Sequence, residues 1–362
     1  MSGRHTNLDM VRGTSILGIL LMNAVFFGLG MDAYFDMTRG NSTSFDWVVG
    51  AAGEIFIDQK FMGLFSLLFG ASAALFMDRA VAKGRAPGEA ARLGLKRNAL
   101  LMVIGAVHAA FWIGDILLAY AICSLPLILM RNLKPNTLIS LGTLVFLTAI
   151  PVAVGMDWLL LWAAAEGATP KDMLDLFSLS IASDAFTRAM GMMMLGMGMF
   201  RKGLLTDREW LADRRWFAVG ALVLSWSLAA GGWAWTVFGG SERTLLANIP
   251  NTLATIPATL GYFIALSWLD ARFAESELVA RLRSVGRMAL TNYLTQTALG
   301  LTVFAILGPA SGRGVVLGFV VCVWVLQLIV SPLWLARYVY GPVEWGWRAA
   351  TYGRWPAWRL DT

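Results

Sequence analysis

The sequence predicts an all-α fold, a polytopic integral membrane helix bundle of about ten transmembrane helices with both termini cytoplasmic. Its composition is the first reason: 57% of the 362 residues are hydrophobic and only 14% are charged, whereas about a quarter are charged in soluble domains. The apolar residues also form separate runs, most of them close to the roughly 20 residues that a helix needs to cross a bilayer. Finally, Lys and Arg residues collect between alternate runs, as expected for connections on one side of a membrane.

Each apolar run is predicted to be a helix because lipid tolerates only a backbone whose polar groups are hydrogen-bonded internally. The third and fourth runs are joined by one residue, so they are either two short spans or a partly re-entrant pair. We expect one membrane domain over 1–362, with the candidate site in an N-terminal half, 7–155, and a C-terminal half over 186–353. The predicted spans are 12–29, 61–77, 98–113, 115–130, 137–155, 186–200, 216–237, 248–268, 288–308 and 314–336.

The positions of the basic residues predict the orientation of the bundle. All but six of the 29 Lys and Arg residues fall on one side of these spans, and this side is predicted to be cytoplasmic. The basic residues behind the net charge of +6 are then expected to set the orientation in the membrane and to contact membrane lipids. No nucleic-acid partner is expected. The six residues on the opposite side are Arg39, Lys60, Lys171, Arg188, Arg243 and Arg313.

Two longer segments on the outer side, 30–60 and 156–185, are rich in acidic residues. Residues 46–58 and 170–182 within them are predicted to form short amphipathic helices over the outer mouth of the bundle. A solvated acidic face is the alternative interpretation. Both segments are too short for independent domains.

Metal binding and disulfide formation are not expected. The chain has two cysteines and two histidines, which are too few for the usual zinc-ligand spacings. Cys123 and Cys322 lie in different apolar runs and lack a CxxC partner, so they are predicted to be buried free thiols.

His108 is the candidate catalytic residue, because a polar side chain inside a membrane span is costly and usually has a partner or a function. Asp115 is seven residues further on and shares its helix face, yet in a straight helix it would lie about 10 Å away. A bend at Gly114 would let the carboxylate orient the imidazole as a general base for a hydroxyl or an amine. Alternatively, His108 packs against a neighbouring helix and Asp115 caps the fourth helix.

Four further residues are candidates for substrate binding. Arg12, at the inner end of the first span, is suited to binding a phosphate but can instead pair with Asp9. Asn23, about three turns further out, can bind an acyl carbonyl or join two helices. Asn292 and Gln296 belong to a polar face of the ninth span that either lines a cavity or connects helices.

Six short motifs resemble those of the YeiB-like membrane proteins, and the resemblance extends from about residue 7 to about residue 353. This family is grouped by distant similarity with transmembrane acyltransferases, among them the lysosomal heparan glucosaminide acetyltransferase and bacterial surface-sugar acetylases. Those enzymes carry an acyl group from cytoplasmic acyl-CoA to an acceptor on the far side of the membrane. The motifs are 8–13 (LDMVRG), 18–23 (GILLMN), 65–70 (FSLLFG), 114–117 (GDIL) after His108, 286–294 (GRMALTNYL) and 341–345 (GPVEW).

The resemblance implies acyl transfer from acyl-CoA to an extracytoplasmic hydroxyl or amine on a sugar or lipid-linked glycan, in a bacterial inner membrane. Arg12 matches an arginine of the surface-sugar acetylases, but Asn23 stands where those enzymes have an essential histidine. The lysosomal enzyme is similar in having Asn there, and its catalytic histidine corresponds to Tyr34. His108 is therefore the residue that would have to act as base. Oligomers are possible.

Two other classes of function remain open from the sequence. A small-solute transporter or a lipid or glycan flippase would use Asn23, His108 and the polar face of the ninth span as a cavity lining, without acyl-CoA chemistry. A non-catalytic scaffold would tolerate apolar replacements of His108 and Asp115. We see no internal symmetry of the kind found in many transporters.

Overall fold

A computed structural model describes residues 5–238 and 245–360, and over these residues the chain is helical, as predicted. Arg243, one of the basic residues assigned to the outer side, lies outside the described residues. The helices are α1 (Thr6–Phe35), α2 (Ser44–Ala52), α3 (Lys60–Ala82), α4 (Pro87–Phe111), α5 (Leu117–Leu129), α6 (Pro135–Leu147), α7 (Ala149–Ala165), α8 (Pro170–Arg201), α9 (Arg208–Asp213), α10 (Arg215–Phe238), α11 (Leu245–Arg272), α12 (Glu277–Arg287), α13 (Ala289–Leu307), α14 (Arg313–Leu335) and α15 (Pro342–Tyr352).

Seven helical segments of the described chain are long and apolar enough to cross a membrane, so the protein is a polytopic helical membrane protein. The predicted third, fourth and sixth spans fall in α4, α5 and α8, which are not among the seven. α5 has only 13 residues. The count of ten spans and the cytoplasmic location of the termini stay predictions. The seven segments are Thr6–Tyr34, Ser44–Ala82, Pro135–Ala165, Arg215–Phe238, Ile249–Arg272, Ala289–Leu307 and Arg313–Leu335.

The two predicted amphipathic helices have different outcomes. Of the predicted helix 46–58, residues 46–57 are helical, as the later part of α2 followed by a short π-helix over Gly53–Ile57. The prediction of a separate helix over 170–182 is wrong, because these residues form the first part of the 32-residue helix α8. Thr169 caps α8, and an ion pair from Asp184 to Arg188, four residues apart, lies where the predicted helix and the following span would have separated.

Helix α1 occupies the centre of the part of the bundle that holds His108. It contacts α3, α11, α12, α13 and α14 along its length. α4 and α5 form a hairpin beside it, and α15 packs against the other end of α4. The side chains of α1, α4, α5 and α13 share one apolar core cluster, which contains Ile16, Leu101, Leu117 and Tyr293. This packing brings helices from the N-terminal and C-terminal halves of the chain together around His108.

Candidate functional site

The α4–α5 hairpin brings His108 and Asp115 into direct contact. α4 ends at Phe111 because Trp112 has an extended backbone, and α5 begins at Leu117. His108 lies in the last turn of α4 and Asp115 in the connection. The distance from His108 Nδ1 to Asp115 Oδ1 is 2.7 Å. The bend predicted at Gly114 is a full reversal of the chain, which separates two helices as the two short runs at this place predicted.

Asp115 also caps the amino terminus of α5. Its Oδ1 accepts a hydrogen bond from the backbone N–H of Leu117 at 3.1 Å, and its Oδ2 accepts one from Leu118 at 2.7 Å. These donors satisfy N–H groups that the first turn of a helix leaves without partners, and the helix dipole favours a negative charge there. Asp115 therefore makes both of the contacts considered for it: its carboxylate caps α5 and also binds His108.

Two glycines allow the hairpin to be this tight. A Cβ atom at Gly105 would lie 2.5 Å from the backbone nitrogen of Leu118, so α4 and α5 could not approach as closely. A Cβ atom at Gly114 would lie 2.4 Å from the ring of Trp112. The close contact of the helices is what places Asp115 within reach of His108.

Aromatic side chains surround the imidazole, and His108 is only 7% exposed. The ring of Tyr293 on α13 lies 5.3 Å from the imidazole, and the ring of Trp112 lies 5.8 Å away with its edge turned toward it. Trp112 packs in turn on Phe27 of α1, at 5.0 Å between ring centroids. These rings shield the His108–Asp115 pair from solvent, and the two side chains are only 8% and 1% exposed.

Two nitrogen atoms in this pocket have no hydrogen-bond partner within the described residues. They are Nε2 of His108 and Nε1 of Trp112, both buried. An ionised Asp115 carboxylate can only accept, so in a neutral imidazole the proton lies on Nδ1 and Nε2 carries a lone pair. An unpaired buried polar atom costs about 1–3 kcal/mol. The site therefore has one acceptor and one donor without a protein partner in the described chain.

Arg12 is far from His108 and has protein partners. Its Nη1 lies 3.2 Å from Asp9 Oδ1, as the sequence allowed, and its Nη2 donates to Ser72 Oγ of α3 at 2.9 Å. Phe26 of α1, which contacts Trp112 beside the site, is 14 residues after Arg12, or roughly 21 Å along the helix. Arg12 and His108 thus belong to opposite ends of the bundle.

Asn23 lies on the α1 face that leads to the site. It is three and four residues before Phe26 and Phe27, both of which contact Trp112, so it occupies the same helix face one turn further in. Asn23 is half-buried. No hydrogen bond from its amide to another residue of the described ranges is found, which leaves the amide available for a ligand.

Asn292 and Gln296 form hydrogen bonds between helices. Asn292 Nδ2 donates to Ser331 Oγ of α14 at 3.1 Å, and Gln296 Nε2 donates to Gln327 Oε1 of α14 at 2.9 Å. Gln296 Oε1 is buried and lacks a partner in the part of the chain that the structure describes. These contacts join α13 to α14, the packing alternative foreseen for this face, and substrate binding by the two residues stays a prediction.

Comparison with known proteins identifies the family. The chain is 30% identical to the uncharacterised protein YeiB of Escherichia coli (strain K12), and the alignment covers 96% of each protein. The chain belongs to the YeiB-like family. A family model described as a protein of unknown function (DUF418) matches residues 199–354 of this YeiB-like protein.

Two further relatives of this YeiB-like protein are also uncharacterised. It is 28% identical to YxaH of Bacillus subtilis (strain 168), over 96% of this chain and 94% of YxaH. It is 27% identical to a 39.9 kDa protein encoded in the amylase 3′ region of Bacillus acidopullulyticus, over 97% of this chain and 94% of that protein. No solved structure matches. The names of these relatives state no activity, so the function has to be argued from the site.

Tyr293 is the part of the candidate site that the sequence analysis did not single out. It lies inside the motif 286–294, beside Asn292 and one turn before Gln296. This position in the motif was the one feature of the sequence that could have drawn attention to it. Its ring forms one wall around His108, and its hydroxyl oxygen accepts a 3.4 Å hydrogen bond from the backbone N–H of Ile116. Because Tyr293 comes from α13, the site uses side chains from both halves of the chain.

Proposed function

We propose that this YeiB-like protein is a membrane acyltransferase that moves an acyl group from cytoplasmic acyl-CoA to a hydroxyl or amine of an extracytoplasmic sugar or glycan. The proposed location is a bacterial inner membrane. One observation carries the proposal: His108 Nε2 is buried and unpartnered within the described chain, on an imidazole whose Nδ1 binds a carboxylate. This arrangement suits a general base that activates a nucleophile.

In the proposed reaction His108 Nε2 takes the proton of the acceptor hydroxyl or amine. The acceptor atom attacks the carbonyl carbon of the thioester, the carbon–sulfur bond breaks, and the leaving thiolate takes the proton back from Nε2. Asp115 stabilises the imidazolium that exists between these two proton transfers. Trp112 Nε1–H is the available donor for the carbonyl oxygen, where negative charge develops. No net proton is gained or lost.

The positions of Arg12 and Asn23 fit a donor that enters from the cytoplasmic side. A donor with a phosphate at Arg12 must extend its acyl end roughly 21 Å along α1 to reach Trp112 and His108. Asn23 lies on that route, one turn before Phe26, and its free amide is suited to the acyl carbonyl. The proposed path therefore follows one face of α1 from Arg12 to Phe26.

The proposal is tested in liposomes that contain the purified protein and acetyl-labelled acetyl-CoA. We expect CoA release and label transfer to fall at least 100-fold in His108→Ala, the low end of what a general base contributes. The matched control is His5→Gln, which changes the only other histidine. Transfer that is fully retained in His108→Ala would contradict the assigned base. Solute flux without CoA consumption would favour a transporter instead.

A further inference from the structure

A second cluster of functional groups lies where α15 packs against α3 and α4, at the end predicted to be cytoplasmic. The guanidinium carbon of Arg97 is 4.3 Å from the ring centroid of Trp347 on α15 and 4.7 Å from that of Phe76 on α3. Trp347 Nε1 donates to the backbone oxygen of Arg97 at 2.8 Å and holds α15 in place. Ring contacts cover the faces of a guanidinium and leave the N–H groups at its edge available.

Other guanidinium groups lie close to Arg97. Arg348, next to Trp347, has its guanidinium carbon 4.7 Å from the ring centroid of Tyr340. Arg348 also lies 5.7 Å from the ring centroid of Tyr352, and that ring contacts Phe76, the second aromatic partner of Arg97. Arg12 reaches this region by its hydrogen bond to Ser72, which is one turn from Phe76 on α3. Three helices and the α15 segment thus bring these cations together.

Two arginines of this cluster, Arg97 and Arg348, have no carboxylate partner within the described chain, whereas Arg12 at the edge pairs with Asp9. Among the described residues, neither Arg97 nor Arg348 forms an ion pair or donates a side-chain hydrogen bond. Arg97 is half-buried and Arg348 is exposed. By contrast, Arg283, also predicted to be cytoplasmic, has its Nε only 2.6 Å from Asp270 Oδ1. Gathering like charges without a counter-ion costs free energy, and a bound anion removes that cost.

We propose that Arg97 and Arg348, with Arg12 at the edge, form a binding site for a phosphate ester. Guanidinium groups bind phosphate oxygens through two parallel N–H donors, and the aromatic contacts hold Arg97 ready for this. Only the identification of CoA as the ligand rests on the proposed acyl transfer; the phosphate site itself does not. An anionic phospholipid head group presents the same phosphate chemistry, and the experiment separates the two sources.

The test is direct binding to the purified full-length protein in detergent, with labelled CoA measured by equilibrium dialysis and phosphatidylglycerol by native mass spectrometry. We expect Arg97→Gln and Arg348→Gln each to weaken CoA binding by about tenfold or more, as for a charged hydrogen-bonded contact. Arg97→Lys keeps the charge without the planar fork and should be intermediate. The matched control, Arg92→Gln, removes an exposed arginine from the same helix and should change affinity less than twofold.

Thermal unfolding of each variant separates loss of binding from loss of fold. Phosphatidylglycerol binding that needs Arg97, without CoA binding, would support the site and identify a lipid as its ligand. Binding of neither ligand, or equal binding by Arg97→Gln, Arg348→Gln and the control, would overturn the proposal. CoA binding that needs Arg97, without label transfer by any preparation, would leave the site standing and remove the proposed acyl transfer.

Discussion

The site around His108 and the network around Lys60 both bury polar side chains, but they differ in what they leave unpaired. Lys60 is fully buried, and its ammonium donates to the backbone oxygens of Glu54 at 2.9 Å and Asp58 at 3.0 Å, and to Asn251 Oδ1. His108 has one nitrogen bound to Asp115 and the other without a partner in the described part of the chain. Burial alone therefore does not distinguish the two.

The difference separates these two sites, although an unpaired atom is not by itself a mark of function, since Gln296 Oε1 is also buried without a partner in the described chain. A buried polar group that has found all its partners stabilises one packing arrangement, and Lys60 uses its three donors in this way. Arg188 behaves alike, since it binds Asp184, Gln59 and Thr252. A group that keeps one unpaired atom, as His108 does, carries a cost that a ligand can remove. The comparison predicts opposite effects of mutation on stability and activity.

Lys60→Met should have the largest effect on stability. It leaves two backbone oxygens and the Asn251 side chain without their donor, and we expect the free energy of unfolding to fall by about 3–5 kcal/mol. Thermal unfolding in detergent measures the change. Lys83→Met, at the exposed opposite end of α3, is the control and should stay within about 0.5 kcal/mol. Equal behaviour of the two variants would break the comparison.

Asp115→Asn should have an intermediate effect. Replacing one oxygen by an amide group removes an acceptor from α5 or from His108, and we expect a loss of about 1–2 kcal/mol, as for other helix caps. Label transfer should fall as well, because the imidazolium loses its counter-charge. Asp172→Asn changes the exposed cap of α8 and serves as the control. Unchanged transfer in Asp115→Asn would show that Asp115 only caps α5.

His108→Gln should change stability least among these site variants. The glutamine amide can still donate to Asp115, while Nε2 had no described partner to lose, so we expect a change below about 1 kcal/mol. The same substitution removes the base and should abolish label transfer. Unfolding and transfer are measured on one preparation. A loss of stability as large as that of Lys60→Met would instead assign His108 to the structural group.

The substitution His5→Gln should have the smallest effect, which is visible only in how the free energy of unfolding depends on pH. Burial, followed by the charges of Arg79 and Arg208, lowers the pKa of His5 below 6.5. The folded state therefore binds fewer protons than the unfolded state, so stability is full above about pH 6.5 and falls as the pH drops toward the folded pKa. Unfolding curves between pH 5 and pH 8 should be flatter for His5→Gln. An unchanged slope would contradict this assignment.

The helical spans followed from the sequence more directly than the contacts between them. Apolar runs of sufficient length predict helices because lipid offers the backbone no other partner, and each of the ten predicted runs is mostly helical. The runs 98–113 and 115–130 extend past the facing ends of α4 and α5, and 137–155 crosses from α6 into α7. The helix end predicted near residue 182 is wrong. Helix α8 begins after the Thr169 cap and continues through this point, where Asp184 and Arg188 form an ion pair along it. The candidate pair His108 and Asp115 was named from the rarity of such residues in a span, but their contact depended on where α4 ends.

The amino-acid sequence by itself determined the membrane class, the helical content and the membership of the YeiB-like family, because these depend on local hydrophobicity and on residue identity along the chain. Only the tertiary structure decided that Asp115 meets His108, that Tyr293 of α13 packs beside the imidazole, and that Arg97 and Arg348 contact one aromatic cluster. Such contacts join residues far apart in sequence. They depend on helix ends and close approaches, which spacing along one chain does not define.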